Sequence, residues 1–137
     1  MRHLHVVLAM SLAVISPVRA QAAKAPCDTT PAYTWFKVDK GAWPKMGNKI
    51  ASSPASLSGK KYNVVISYEY VVDTLGRVEM CHFRVVKATQ DPATPELVEA
   101  IRSVVQDWQF EPARKAGRKV RQITSEPMTF IGMGVMK

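Results

Sequence analysis

The sequence predicts an α+β fold: a small antiparallel β-sheet in β-β-α-β order with one main helix packed on one face. Three observations predict it. Val64, Ile66, Tyr68, Tyr70 and Val72 alternate with Asn63, Val65, Ser67, Glu69 and Val71, the period of two that a strand with one buried face requires. Asp73-Thr74-Leu75-Gly76 follows and separates this run from a second β-rich run, Arg77 to Val86. Leu97, Ile101, Val104, Val105 and Trp108 then recur at spacings of three and four, which draws one apolar stripe on a helix.

Each element has a local reason. In the turn, Asp73 can fold its side chain back onto the backbone and Gly76 can take φ > 0, so the two strands form an antiparallel hairpin. Gln90 to Pro95 reads as a loop. Thr94 is expected to cap the helix, Pro95 suits its first position, and Glu96 complements the helix dipole. Pro112 ends the helical region by Glu111. Ala113 to Arg121 reads as a basic connector in which Gly117 permits a tight return. Gln122 to Ile131 is a third β-rich run. Pro127 cannot donate a ladder hydrogen bond, which places this strand at an edge of the sheet.

The segments flanking this domain (61–132) read differently. Residues 1–22 have the layout of a secretory signal peptide: Arg2, an apolar run from Val6 to Val18, then Ala20 and Ala22 as cleavage positions. The expected location is therefore exported and periplasmic. The competing reading is an inner-membrane anchor over residues 6–18, which Pro17 and Arg19 cut short of the roughly 20 residues a span needs. Residues 23–60 are irregular, punctuated by Pro26, Pro31, Pro44 and Pro54. Their aromatics, Tyr33, Trp35, Phe36 and Trp43, are expected to pack onto the domain as a strap. Residues 133–137 form a tail expected to fray.

Removing residues 1–22 lowers Lys+Arg from 19 to 17 against 11 acidic residues, a net charge of +6. A basic surface attracts acidic partners, nucleic acid or anionic lipid, and export argues against nucleic acid. Arg114, Lys115, Arg118, Lys119 and Arg121 form the densest cluster. It reads first as a solvated connector and second as a peripheral envelope contact. Cys27 and Cys81, an even pair in an exported chain, read as a disulfide worth roughly 4 kcal/mol by chain entropy; two free thiols are the alternative.

Catalysis, cofactors and metals find no support. His82 is the sole histidine after residue 22, and as neighbours in a strand Cys81 and His82 should point to opposite faces. One His and two Cys supply few ligands for a metal.

The turn Asp73-Thr74-Leu75-Gly76-Arg77-Val78 resembles the Asp-x-x-Gly-Arg-Val turn of TonB C-terminal domains. The stretch Glu96 to Ala113, ending Trp108-Gln109-Phe110-Glu111-Pro112-Ala113, resembles the close of that family's helix, Trp-x-Phe-x-Pro-Ala. Ala42-Trp43-Pro44 is similar to the family's Tyr-Pro segment. Asp73, Gly76, Trp108, Phe110, Pro112 and Gly117 are then fold-determining residues.

The resemblance implies a protein-binding module of TonB-type transport across the outer membrane. Such a module captures a transporter peptide or another envelope protein's strand by β-augmentation. By analogy the docking strand is Gln122, Ile123, Thr124, Ser125, Glu126, Met128 and Phe130, with Trp43 and Pro44 beside it. No Pro-Lys or Pro-Glu spacer lies between Ala22 and Tyr62. The alternative is a structural or assembly role, or a homodimer formed through the same edge.

Overall fold

A computed structural model of the protein describes residues 27–134, so the leader assigned to residues 1–22 lies outside the described residues. The strands are β1 (Trp43–Pro44), β2 (Lys61–Val72), β3 (Val78–Ala88), β4 (Phe110–Glu111), β5 (Ala113–Lys115), β6 (Arg118–Val120) and β7 (Gln122–Met133). One α-helix, α1 (Thr94–Val105), lies between β3 and β4, and short 3-10 turns occupy Trp35–Lys37 and Ala55–Leu57.

The main sheet has three antiparallel strands in the order β3-β2-β7, with β2 at its centre. The alternation in β2 holds through Tyr70: Tyr62, Val64, Ile66, Tyr68, Tyr70 and Val72 are buried, and at the strand's end Val71 is buried as well. Leu97, Ile101 and Val105 of α1 pack against this face with Phe83 of β3. Each such side chain contributes about 1.5–3 kcal/mol on burial. Aromatic rings fill the rest, with Tyr68 and Phe83 centroids 5.6 Å apart and Tyr70 lying 5.9 Å from Phe110 and 6.2 Å from Trp108.

The β2–β3 turn forms as its residues predict. The Asp73 carboxylate accepts from the amides of Leu75 and Arg77, each at 2.8 Å, and pairs with the Arg77 side chain at 2.9 Å. Gly76 has φ 80°.

The helix differs from expectation at both ends. Thr94 is its first residue and makes no cap; its hydroxyl donates to the Thr89 carbonyl at 2.7 Å, while Asp91 accepts from the Ala93 amide at 2.8 Å. The helix stops at Val105; Trp108 lies in the turn that follows it and Phe110 in β4. Non-local backbone bonds take over there: the Gln109 amide donates to the Asn48 side chain at 2.9 Å and the Phe110 amide to the Gly76 carbonyl at 2.8 Å. Trp108 still buries its ring and donates its indole N–H to the Lys49 carbonyl at 2.6 Å.

The supposed connector is also structured. Ala113–Lys115 and Arg118–Val120 form a hairpin closed by Ala116 (φ 49°) and Gly117 (φ 73°). Two consecutive positive φ values are those of a type I′ turn. Arg121 does not belong with the solvated cluster: it is 7% exposed. The aromatic strap is corrected too. Trp35, Phe36 and Trp43 are 73%, 65% and 70% exposed, because backbone pairs hold this segment rather than buried rings. Asp39 and Lys40 pair with Arg114, and Trp43–Pro44 pairs with Glu111 and Phe110. Met133, assigned to the tail, ends β7.

Candidate functional site

Two neighbouring features stand out: the outer edge of β7, and the polar corner that ties residues 27–33 to it. β7 pairs along its whole length with β2, from Gln122↔Val72 to Met133↔Lys61, without a break in register. In the main sheet β2 is its sole neighbour, so Pro127 does sit in an edge strand.

The direction of each backbone group follows from one contact. The Tyr33 amide donates to the Arg121 carbonyl at 2.9 Å, and the Ile123 amide donates to the Tyr33 carbonyl at 2.8 Å. Arg121 and Ile123 therefore face away from β2. Since N–H and C=O alternate sides along a strand, Ser125, Pro127, Thr129 and Ile131 face outward as well. Among the described residues, none of these four has a backbone partner on that side. Pro127 removes one donor from the row and keeps its carbonyl.

This geometry redistributes the residues expected at the edge. Gln122, Thr124, Glu126, Met128 and Phe130 spend their backbone groups on β2. The Gln122 side chain is buried and accepts from the Ala42 amide at 2.8 Å, and Phe130 belongs to the core. Glu126 accepts from the Tyr70 hydroxyl at 2.8 Å, whereas the buried Tyr68 hydroxyl has no partner. Burial, and then the Glu126 charge, pushes both phenols up from the ordinary tyrosine value. Ile123 is already engaged by Tyr33. Of the expected set, only Ser125 offers free outward groups. Thr129, within the expected strand Gln122 to Phe130, and Ile131, just past it, also face outward, as counting in twos from Pro127 shows. Trp43 and Pro44 pair with β4, and the Ala42 amide beside them bonds the Gln122 side chain.

The corner next to Ile123 is held by Arg121. Its guanidinium forks onto Glu79, Nε to Oε1 at 2.9 Å and Nη2 to Oε2 at 2.5 Å. It also donates to the backbone carbonyls of Thr30 and, at 3.0 Å, Asp28. The Glu79 hydrogen bonds raise the arginine pKa further, so it stays charged. Asp28 is held below the ordinary carboxyl value, first by the Thr30 amide and hydroxyl.

Cys27 and Cys81 form a disulfide here, with Cα atoms 5.9 Å apart. The expectation that Cys81 and His82 diverge fails. Glu69 faces Arg84 while Val71 faces Glu79, so β3 spends Met80 to Phe83 opposite Tyr70 alone, and this bulge breaks the alternation. His82 Nε2 lies 3.3 Å from Cys27 Sγ and 2.8 Å from the Asp28 carbonyl. His82 Nε2 also lies 3.3 Å from Arg121 Nη2. Both sulfurs and an imidazole nitrogen fall within 4.8 Å of one another. With the sulfurs bonded to each other, the group presents no thiolate to a metal.

No protein-family model matches the sequence, and no curated protein matches it. Solved structures do. The solution NMR structure of the TonB C-terminal domain of Pseudomonas aeruginosa is 13% identical, with a TM-score of 0.55 over 76% of this chain and 97% of that one. The TonB2 protein of Vibrio anguillarum is 15% identical, with a TM-score of 0.49 over 80% of this chain and 98% of that one. At 13% identity the likeness to the Pseudomonas domain is one of fold, and the chain has a TonB C-terminal-domain-like fold.

Proposed function

We propose that this protein is an exported, periplasmic binding module that captures an extended peptide along the outer edge of β7. One observation carries this reading: the outward row from Ser125 to Ile131 is unpaired among the described residues. A peptide laid beside it gains main-chain hydrogen bonds, each worth about 0.5–1.5 kcal/mol net, and meets side chains on alternate positions. The partner is an outer-membrane transporter segment or a strand of another envelope protein, in keeping with a TonB-like role in transport. A second copy of β7 would bring its own Pro127 to the shared edge and lose a donor on each strand, which favours a foreign peptide over self-pairing.

The test is an NMR titration of the protein with peptides from outer-membrane transporter N-termini. The amides of Ser125, Thr129 and Ile131 should shift and gain exchange protection. Thr129→Pro should weaken binding about tenfold and leave the fold intact, because the Thr129 N–H points away from β2. Shifts confined to other surfaces, or a Thr129→Pro variant that binds as before, would refute edge capture.

A further inference from the structure

The β5–β6 hairpin and the 3-10 turn at Trp35–Lys37 form one surface. Asp39 and Lys40 donate their amides to the Arg114 carbonyl at 2.9 and 3.2 Å, and the Arg114 amide returns a bond to Lys40 at 2.8 Å. Lys115 Nζ donates to the Lys37 carbonyl at 2.9 Å and sits 4.6 Å from the Tyr33 ring centroid. The turn thus sits on the hairpin, and it presents Trp35 and Phe36 to solvent as an edge-to-face pair with centroids 5.9 Å apart. In the same two segments Lys37, Lys40, Arg114, Arg118 and Lys119 are all exposed. The one carboxylate in these two segments, Asp39, is occupied by the Ala116 amide at 2.6 Å.

From this we infer a docking surface for an anionic phospholipid bilayer, formed by Trp35 and Phe36 together with the exposed basic residues of the turn and the β5–β6 hairpin. Two independent features fit that partner. Exposed aromatic rings partition into the headgroup region of a bilayer, and each Lys or Arg near an anionic leaflet adds about 1 kcal/mol. An acidic protein would satisfy the charges but has no general use for two rings held 73% and 65% exposed. Bilayer docking would hold the module at a membrane without a spanning segment. The turn lies beside β7, but the rings and the outward backbone row are different groups, so Thr129→Pro, which removes an edge donor, should leave vesicle binding unchanged.

The protein recovered from cells, its N-terminus read by mass spectrometry, is sedimented with vesicles of phosphatidylcholine alone or mixed with phosphatidylglycerol. Binding should require phosphatidylglycerol and weaken steeply as salt rises. The double substitution Trp35→Ser with Phe36→Ser removes exposed rings only, so folding is preserved. It should weaken binding about tenfold or more. Arg118→Glu with Lys119→Glu should lower it further at low salt. If the leader is retained, the comparison between wild type and these variants still isolates the surface. Variants that sediment like wild type overturn the inference. So does binding to peptidoglycan sacculi, or to an acidic protein, with none to phosphatidylglycerol vesicles.

Discussion

The amide of Phe110 donates to the carbonyl of Gly76 at 2.8 Å, joining the turn of the β2–β3 hairpin to the extended chain after the helix. A Cβ at Gly76 would come within 1.9 Å of the Phe110 carbonyl oxygen, and the residue has φ 80°. Gly76→Ala should therefore cost about 2–4 kcal/mol, from the left-handed backbone and from overpacking together. Urea unfolding measures it; a loss below about 0.5 kcal/mol, the range of a neutral surface change, would contradict the account.

Ala116 is the opposite case. It is the one non-glycine residue at positive φ among the described residues, at 49°. Glycine removes the Cβ strain and keeps the amide that Asp39 accepts. Ala116→Gly should raise stability by about 1 kcal/mol, seen as a higher Tm. An unchanged or lowered Tm argues against the strain.

The disulfide closes a loop between residues 54 positions apart. Reduction, or Cys27→Ser with Cys81→Ser, should lower stability by up to about 4 kcal/mol in the chain-entropy account. Arg121 holds residues 28–30 independently, so Tyr33 should stay paired with Ile123 in the reduced protein at room temperature. Unfolding with and without dithiothreitol tests the first point. Labelling of both cysteines in the unreduced exported protein would show that the bond does not form in cells.

Tyr68 and Tyr70 set an alkaline limit. Burial raises both phenols above 10.0, so the folded state holds these protons more tightly than the unfolded chain. Their contribution is complete below the unfolded pKa and is lost as pH rises from there toward the folded values. The urea midpoint should fall above pH 10.0, and phenolate absorbance from these two residues should appear only on unfolding. A native-state absorbance change near that pH that shrinks in Tyr68→Phe or Tyr70→Phe would contradict this.

The strand that carries the candidate site was legible along the chain. Pro127 placed β7 at an edge because a missing donor is tolerated only there, and the period of two in β2 marked the face that meets α1. Pro127 also marked the outward phase, since counting in twos from it reaches Ser125, Thr129 and Ile131. That Ile123 is not free was not legible, because Tyr33 covers it from far upstream.

The residues that the sequence determined act locally. Asp73 and Gly76 form their turn with neighbours a few positions away, and Leu97, Ile101 and Val105 draw their stripe by helical periodicity alone. The tertiary structure decided what depends on distant partners. Bonds to the Gly76 carbonyl and the Asn48 side chain pull Phe110 and Gln109 out of the helix. Glu79, Asp28 and Thr30 draw Arg121 out of the solvent. A bulge opposite Tyr70 turns His82 toward Cys27. The same holds for Trp35 and Phe36: their hydrophobicity argued for burial, and backbone pairing with the β5–β6 hairpin left them on the surface.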